Sequence, residues 1–356
     1  MKKRFPSIVK ITIISLYLIF LAGAIVRMTG SGMGCPDWPK CFGYYIPPTE
    51  ESQITWQPNT HYNQGMIIIK DKVLFVAEKE LNTSTNFNQK NWTNYAKHDY
   101  AKFNKFHTWT EYINRLVSVL AGFVFLFLIV GATKFWKENK RIPLLSFLAF
   151  FLMLFEAWLG KTVVDTNLTP AIITVHMVVG LVIIALLLKL HFIVSEHKKQ
   201  STSVSLEEDI KAKSTIKYNS LFQKLLIVSV IFSLIQIALG TQIRQFIDEQ
   251  VKLFGFENKN YSLMNPSFKF YFHRSFTIAI VLVNLGLFYI NQIKGLGFKL
   301  VNWIVFFIFL EAFTGVLMYY AEFPIGTQAV HLLAGAILFG LQFYLWLQSR
   351  AVISTR

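Results

Sequence analysis

Two glutamates and two histidines recur in this chain at a spacing suited to holding a metal. Glu156-Ala-x-x-Gly160 is followed, fifteen residues on, by His176 and then Gly180; the same string runs from Glu311 through Gly315 and His331 to Gly335. Every position is displaced by 155 residues. Each copy places an imidazole inside an apolar segment, where an ionisable group is costly, so the pair reads as metal or porphyrin chemistry rather than packing. His273 and Arg274 form a third such site, and Arg27 and Arg244 close two apolar runs that share a Gly-x-x-x-Arg ending.

The elements that carry these residues follow from composition. Of 356 residues, 53% are hydrophobic and 15% charged, which marks an integral membrane protein. Apolar runs of about twenty residues, the length a helix needs to cross the hydrocarbon, begin near Ile8, Ile113, Pro143, Ala171, Leu221, His273, Leu300 and Thr327. The expected fold is all-α and polytopic: eight transmembrane helices in two pseudo-symmetric four-helix bundles, residues 1–194 (with a large outer loop, 29–110) and 221–356. A cytoplasmic linker, 195–220, joins them.

The net charge of +15 would suggest nucleic acid in a soluble chain; here its placement reports orientation instead, and no nucleic-acid partner is expected. Lys2, Lys3 and Arg4 precede the first run, Lys134, Lys137, Lys140 and Arg141 fill the second connection, and Lys198, Lys199, Lys211, Lys213 and Lys217 fill the fourth. The connections near Asp165 to Thr169 and Tyr320 to Gly326 carry neither Lys nor Arg. Both termini are therefore expected in the cytoplasm of a cell whose inner membrane the chain spans. The alternative, a cleaved secretory signal ending near Ala22 to Ala24, fits less well because the apolar run is too long.

With that orientation His176, His273 and His331 share one depth near the outer surface. A lone membrane histidine is more often an interhelical hydrogen-bond donor; three at matched depth favour ligands. His273 and His331, on separate helices, suit the two faces of an iron porphyrin. Arg274 and Arg244 could pair with its propionates, or snorkel to headgroups. In the first half, Arg115 and Arg27 correspond to these arginines, but Asn114 stands where His273 predicts histidine. Porphyrin there would rest on His176 alone, as suits a group that enters and leaves. Glu111 shares a helical face with Asn114 and His107. It is a candidate proton acceptor or stabiliser of a cationic intermediate, or else a charge placed at a helix start. His107, about 10 Å along the axis from Asn114, is read as interfacial. Glu156 and Glu311 suit either support of the ligands or interhelical ties.

The only cysteines, Cys35 and Cys41, lie outside the membrane in Gly30-SGMGCPDWPKCF-Gly43. They could form a structural staple or a redox pair, and position alone favours the staple. Taken together, R-x-T-x-S-G-x-x-C-P-D-W-P-x-C-x-G (Arg27 to Gly43), E-x-x-x-R (Glu111 to Arg115), G-T-x-x-R (Gly240 to Arg244) and His273-Arg274 resemble the haem A synthase family. The resemblance covers both halves and leaves out mainly an insert of about 45–105. It implies oxidation of the C8 methyl group of haem O to a formyl group by successive hydroxylations, giving haem A for terminal oxidases. It also implies a haem b cofactor with His273 and His331 as axial ligands, His176 as a substrate-haem ligand, Glu111 as the catalytic carboxylate, and Cys35 and Cys41 as the family's loop pair. Implied partners are the prenyltransferase that makes haem O and an electron acceptor; association between copies is left open. The chain departs from the family's pattern at Asn114, where histidine is usual, and has no second cysteine pair.

The insert contains MIIIKDKVLFVAE, read as a small hairpin against the outer face, and His61 and His98, read as surface residues. A rival function, a di-haem b-type carrier of quinol electrons, would favour two complete histidine pairs, which Asn114 withholds. A haem transporter would need ligands in the cytoplasmic half of the helices.

Overall fold

The computed structural model describes residues 2–95, 103–166, 168–200, 217–254 and 266–351. Among these residues eight helices are long and apolar enough to cross a membrane. They are α1 (Phe5–Met28), α2 (Lys105–Ala132), α3 (Arg141–Asp165), α4 (Pro170–Gln200), α5 (Ser220–Phe254), α6 (Phe268–Ile293), α7 (Leu300–Tyr320) and α8 (Thr327–Ala351). The protein is a multi-pass, mainly helical membrane protein. Exposed Leu, Ile and Phe along the helices, such as Phe123, Phe151, Leu282 and Phe309, need no partner when lipid is the solvent.

Helix starts follow local chemistry. The Asn104 side chain accepts from the backbone N–H of Phe106 (3.0 Å) and His107 (3.4 Å), so α2 begins eight residues before its apolar run. That early cap puts Glu111 on the helix. Similarly α6 begins at Phe268, placing His273 in its second turn, the depth at which His176 and His331 also fall. Helix ends explain a difference between halves. Gly30, at φ +68°, stops α1 in a left-handed cap, with Ser31 N–H donating to Val26 C=O (2.8 Å) and Gly30 N–H to Arg27 C=O (3.3 Å). The corresponding stretch of α5, Gln245 to Phe254, has no glycine and continues as helix, carrying Asp248 one turn past Arg244.

Packing repeats with the sequence. In each half consecutive helices pack together and the first packs on the fourth; between halves α1 packs on α8, α4 on α5, and α4 on α8. One apolar core joins Phe5, Leu16, Phe125, Leu128 and Leu181 with Ala336 and Phe339 of α8; a second joins Phe222, Leu226, Leu287, Ile304 and Leu345. The linker expected over 195–220 lies largely outside the described residues, as does His98.

The outer insert forms two small sheets. β2 (Ile67–Lys70) and β3 (Val73–Ala77) make an antiparallel hairpin in the register Lys70↔Val73, and β3 pairs with β5 (Trp92–Asn94). β1 (His61–Tyr62) pairs with β4 (Leu81–Asn82). The hairpin turns at Asp71 and Lys72, at φ +51° and +61°. A two-residue loop with both φ positive matches the twist of the flanking strands. His61 is exposed, against Asn82 and Glu80.

Candidate functional site

In the second half, α5 to α8 enclose a cavity of about 340 Å³ lined by His273, His331, Arg244, Arg274, Gly240 and Gly315, among others. Both glycines lie beside imidazole rings. A Cβ on Gly240 would lie 3.4 Å from Cε1 of His273, and one on Gly315 3.7 Å from Cε1 of His331. Thr314 Oγ accepts from or donates to His331 Nδ1 at 2.9 Å, and Glu311 Oε2 lies 3.2 Å from the same nitrogen. His273 is fixed through its backbone: its carbonyl accepts from Gln236 Nε2 (3.0 Å) and Thr277 Oγ (3.1 Å). Its Nδ1 is buried without a hydrogen-bond partner among the described residues.

The donor set fits a porphyrin. Among the described residues no three His, Cys, Asp or Glu side chains gather as a bare metal ion would need, whereas porphyrin iron requires only one or two protein ligands. Apolar walls, two imidazoles from different helices and guanidinium groups at the margin meet that requirement.

Arg27, matched by sequence with a first-half porphyrin, lines this second-half cavity as well. Its Nη2 reaches Asp248 Oδ2 (3.4 Å) and the carbonyl of Thr241 (3.4 Å), while Arg244 Nη1 holds Asp248 Oδ1 at 2.5 Å and Arg244 Nη2 donates to the carbonyl of Arg27 (2.8 Å). Two arginines from opposite halves thus share one carboxylate. Asp248 escapes sequence reasoning because its counterpart after α1 falls in a glycine-rich loop. Its spacing of four from Arg244 on one helix was the available signal. Arg274 lies over the Tyr271 ring, 5.4 Å from its centroid.

The first half gathers a different set. Cys35 and Cys41 are joined by a disulfide and are almost wholly buried. The loop they close sits on α2. Cys35 N–H donates to Glu111 Oε2 (2.8 Å); Arg115 donates to Glu111 Oε1 (2.6 Å) and to the carbonyls of Asp37 and Lys40 (both 2.8 Å). Gly34 permits the approach: a Cβ there would stand 2.4 Å from the carbonyl carbon and oxygen of His107. Glu111 is 3% exposed. Asp37 accepts from Gly43 N–H (2.9 Å), and burial raises its carboxyl above the usual range. Burial also raises the Tyr95 hydroxyl, which donates to the Pro36 carbonyl, to about 12.

His176 stands on α4 with Glu156 against its Nδ1, and a Cβ on Gly160 would lie 3.9 Å from its ring. The Asn114 side chain makes no hydrogen bond among the described residues. His107 is half-buried beside the Gly34 loop.

The family described as cytochrome oxidase assembly protein matches residues 7–96 and 70–343. The chain is similar to the haem A synthase of Shewanella oneidensis, 26% identical over 184 residues, which are 52% of this chain and 44% of that protein. It is 24% identical to the haem A synthase of Alkalihalophilus pseudofirmus over 354 residues, 97% of each chain. The haem A synthase of Bacillus cereus matches over 204 residues at 24% identity, 57% of this chain and 48% of that one. With two histidines lining one cavity, a loop-capped carboxylate and a match along nearly the whole sequence, the chain belongs to the cytochrome oxidase assembly protein family, among the haem A synthases.

Proposed function

We propose that the protein oxidises the C8 methyl group of haem O to a formyl group by successive hydroxylations, with haem b resident in the second half. Family membership and the shared name of the relatives support the broader statement that it is an oxidoreductase of haem A biosynthesis, converting haem O into haem A. One observation carries the finer reading: two imidazoles from α6 and α8 line a single apolar cavity, whereas in the first half His176 has no counterpart of His273 and Glu111 is buried.

His273 and His331 would ligate the resident haem, with Arg244, Arg274 and Arg27 beside its propionates. When bound, haem b supplies one-electron exchange. In the first half His176 would bind substrate haem O from α4. Glu111 is held by two donors and buried beneath the disulfide loop. There it can accept a proton from the reacting carbon or face developing positive charge. Arg115 fixes the orientation of that carboxylate and the closure of the loop at once. A single histidine ligand leaves the substrate exchangeable.

The basic residues at Lys2 to Arg4 and Lys134 to Arg141 support a cytoplasmic-membrane location with both termini inside. Partners would be a prenyltransferase delivering haem O and an electron acceptor. The test is pigment extraction from a haem O-producing host lacking other haem A-forming enzymes. Haem A should appear only when this chain is supplied; haem O alone in its presence would overturn the proposal.

A further inference from the structure

The repeat supplies more than ligands. In both halves a glutamate sits against Nδ1 of the histidine on the next helix, four residues before a glycine that lies beside the same ring. Thr314 has the carbonyl of Leu310 (2.8 Å) as an acceptor for its hydroxyl, which leaves its oxygen free to accept from His331 Nδ1 (2.9 Å). In the first half the Glu156 carboxyl lies against the same nitrogen of His176. No hydrogen bond engages Nε2 of either ring among the described residues, so that nitrogen keeps its lone pair for iron. The halves then diverge at one position. His331 Nδ1 faces both Thr314 and Glu311, whereas the counterpart of Thr314, 155 residues earlier, is Leu159, which is buried and cannot accept. His176 Nδ1 therefore faces Glu156 with no hydroxyl beside it.

We infer that Glu156 and Glu311 are positioning residues that set how strongly each histidine donates to porphyrin iron, and that the Leu159/Thr314 difference makes His176 the stronger donor. A carboxylate drawing on Nδ1–H pushes electron density to Nε2 and favours ferric over ferrous iron; a hydroxyl sharing that proton weakens the push. The substrate haem is thereby held by the more electron-rich imidazole and the resident haem by the milder one. This inference rests on His331 and His176 being iron ligands.

The test uses the full-length purified protein. Redox titration of the resident haem should show a raised midpoint potential in Glu311→Gln and a lowered one in Thr314→Leu, which installs the first-half environment. A tie that merely joined helices would not move the potential in opposite directions. For the first half, ferric and ferrous protoporphyrin IX are titrated separately. Glu156→Gln should lose about tenfold in affinity for the ferric form, with a smaller loss for the ferrous. Leu159→Thr should fall between Glu156→Gln and the parent. If Glu311→Gln fails to retain haem, Thr314→Leu and Glu156→Gln decide alone. Unmoved potentials with unchanged ferric preference would overturn the inference while leaving haem ligation intact. A purified protein without haem would instead overturn the reading on which it rests.

Discussion

The two halves place the same arginines in opposite service. In the second, Arg274 lines a cavity and stacks on Tyr271; in the first, Arg115 is consumed by carbonyls of the disulfide loop and by Glu111. The residue three before the α6 histidine is Phe270, part of the cavity wall; the residue three before Asn114 is Glu111. Gly240 lies against His273, while a Cβ on its counterpart Gly23 would meet nothing within 4 Å. His331 is 25% exposed at its side chain and His176 38%. The second half thus sets two imidazoles around one cavity, while the first pairs a more exposed imidazole with a separate carboxylate capped by a loop.

Removing the acid tests that division most severely. Glu111→Gln keeps the shape and should lower haem A formation by about 10²- to 10⁴-fold, while the resident haem b spectrum is unchanged. Parallel loss of the spectrum would show that the halves are not separable. Next in size is Gly34→Ala, whose added methyl collides with backbone at His107 and lifts the loop from Glu111. Displacement of about 1 Å should cost roughly 10²-fold in product, again with haem b retained. Product at the parental level would free Glu111 from dependence on the loop.

Asn114→His restores the missing counterpart of His273 and should raise bound porphyrin from about one toward two per chain after washing, measured by pyridine haemochrome. No change in stoichiometry would mean that this position does not face the porphyrin. The smallest effect concerns Asp37. A carboxyl whose folded pKa is raised favours folding while protonated and loses that contribution as pH rises past its unfolded value. Asp37→Asn keeps an acceptor for Gly43 N–H and should stabilise the loop by about 1 kcal/mol or less at neutral pH, with little effect at pH 3. Thermal unfolding of the two proteins at both pH values measures this, and a larger gain at pH 3 would reverse the assignment.

Much of this was readable before any fold was known. Twenty-residue apolar runs must be helices in lipid, and the 155-residue repeat marks the histidines without structural help. The shared face of His107, Glu111 and Asn114 already extended α2 ahead of its apolar run; what a hydropathy run does not show is the Asn104 cap that starts it. The reach of Arg27 into the opposite half and its sharing of Asp248 were hidden for a different reason: helix packing between halves leaves no local periodicity. The pairing of Thr314 with His331 is likewise a contact between α7 and α8, visible only once both helices are placed.

The central claim is that His273 and His331 clasp a porphyrin in the second half independently of His176. Reduced-minus-oxidised optical spectra of purified parent, His273→Ala, His331→Ala and His176→Ala proteins test it directly. A low-spin haem b signal should be present in the parent and His176→Ala and absent from the other two. Equal loss in all three variants, or a colourless parent, would contradict the account.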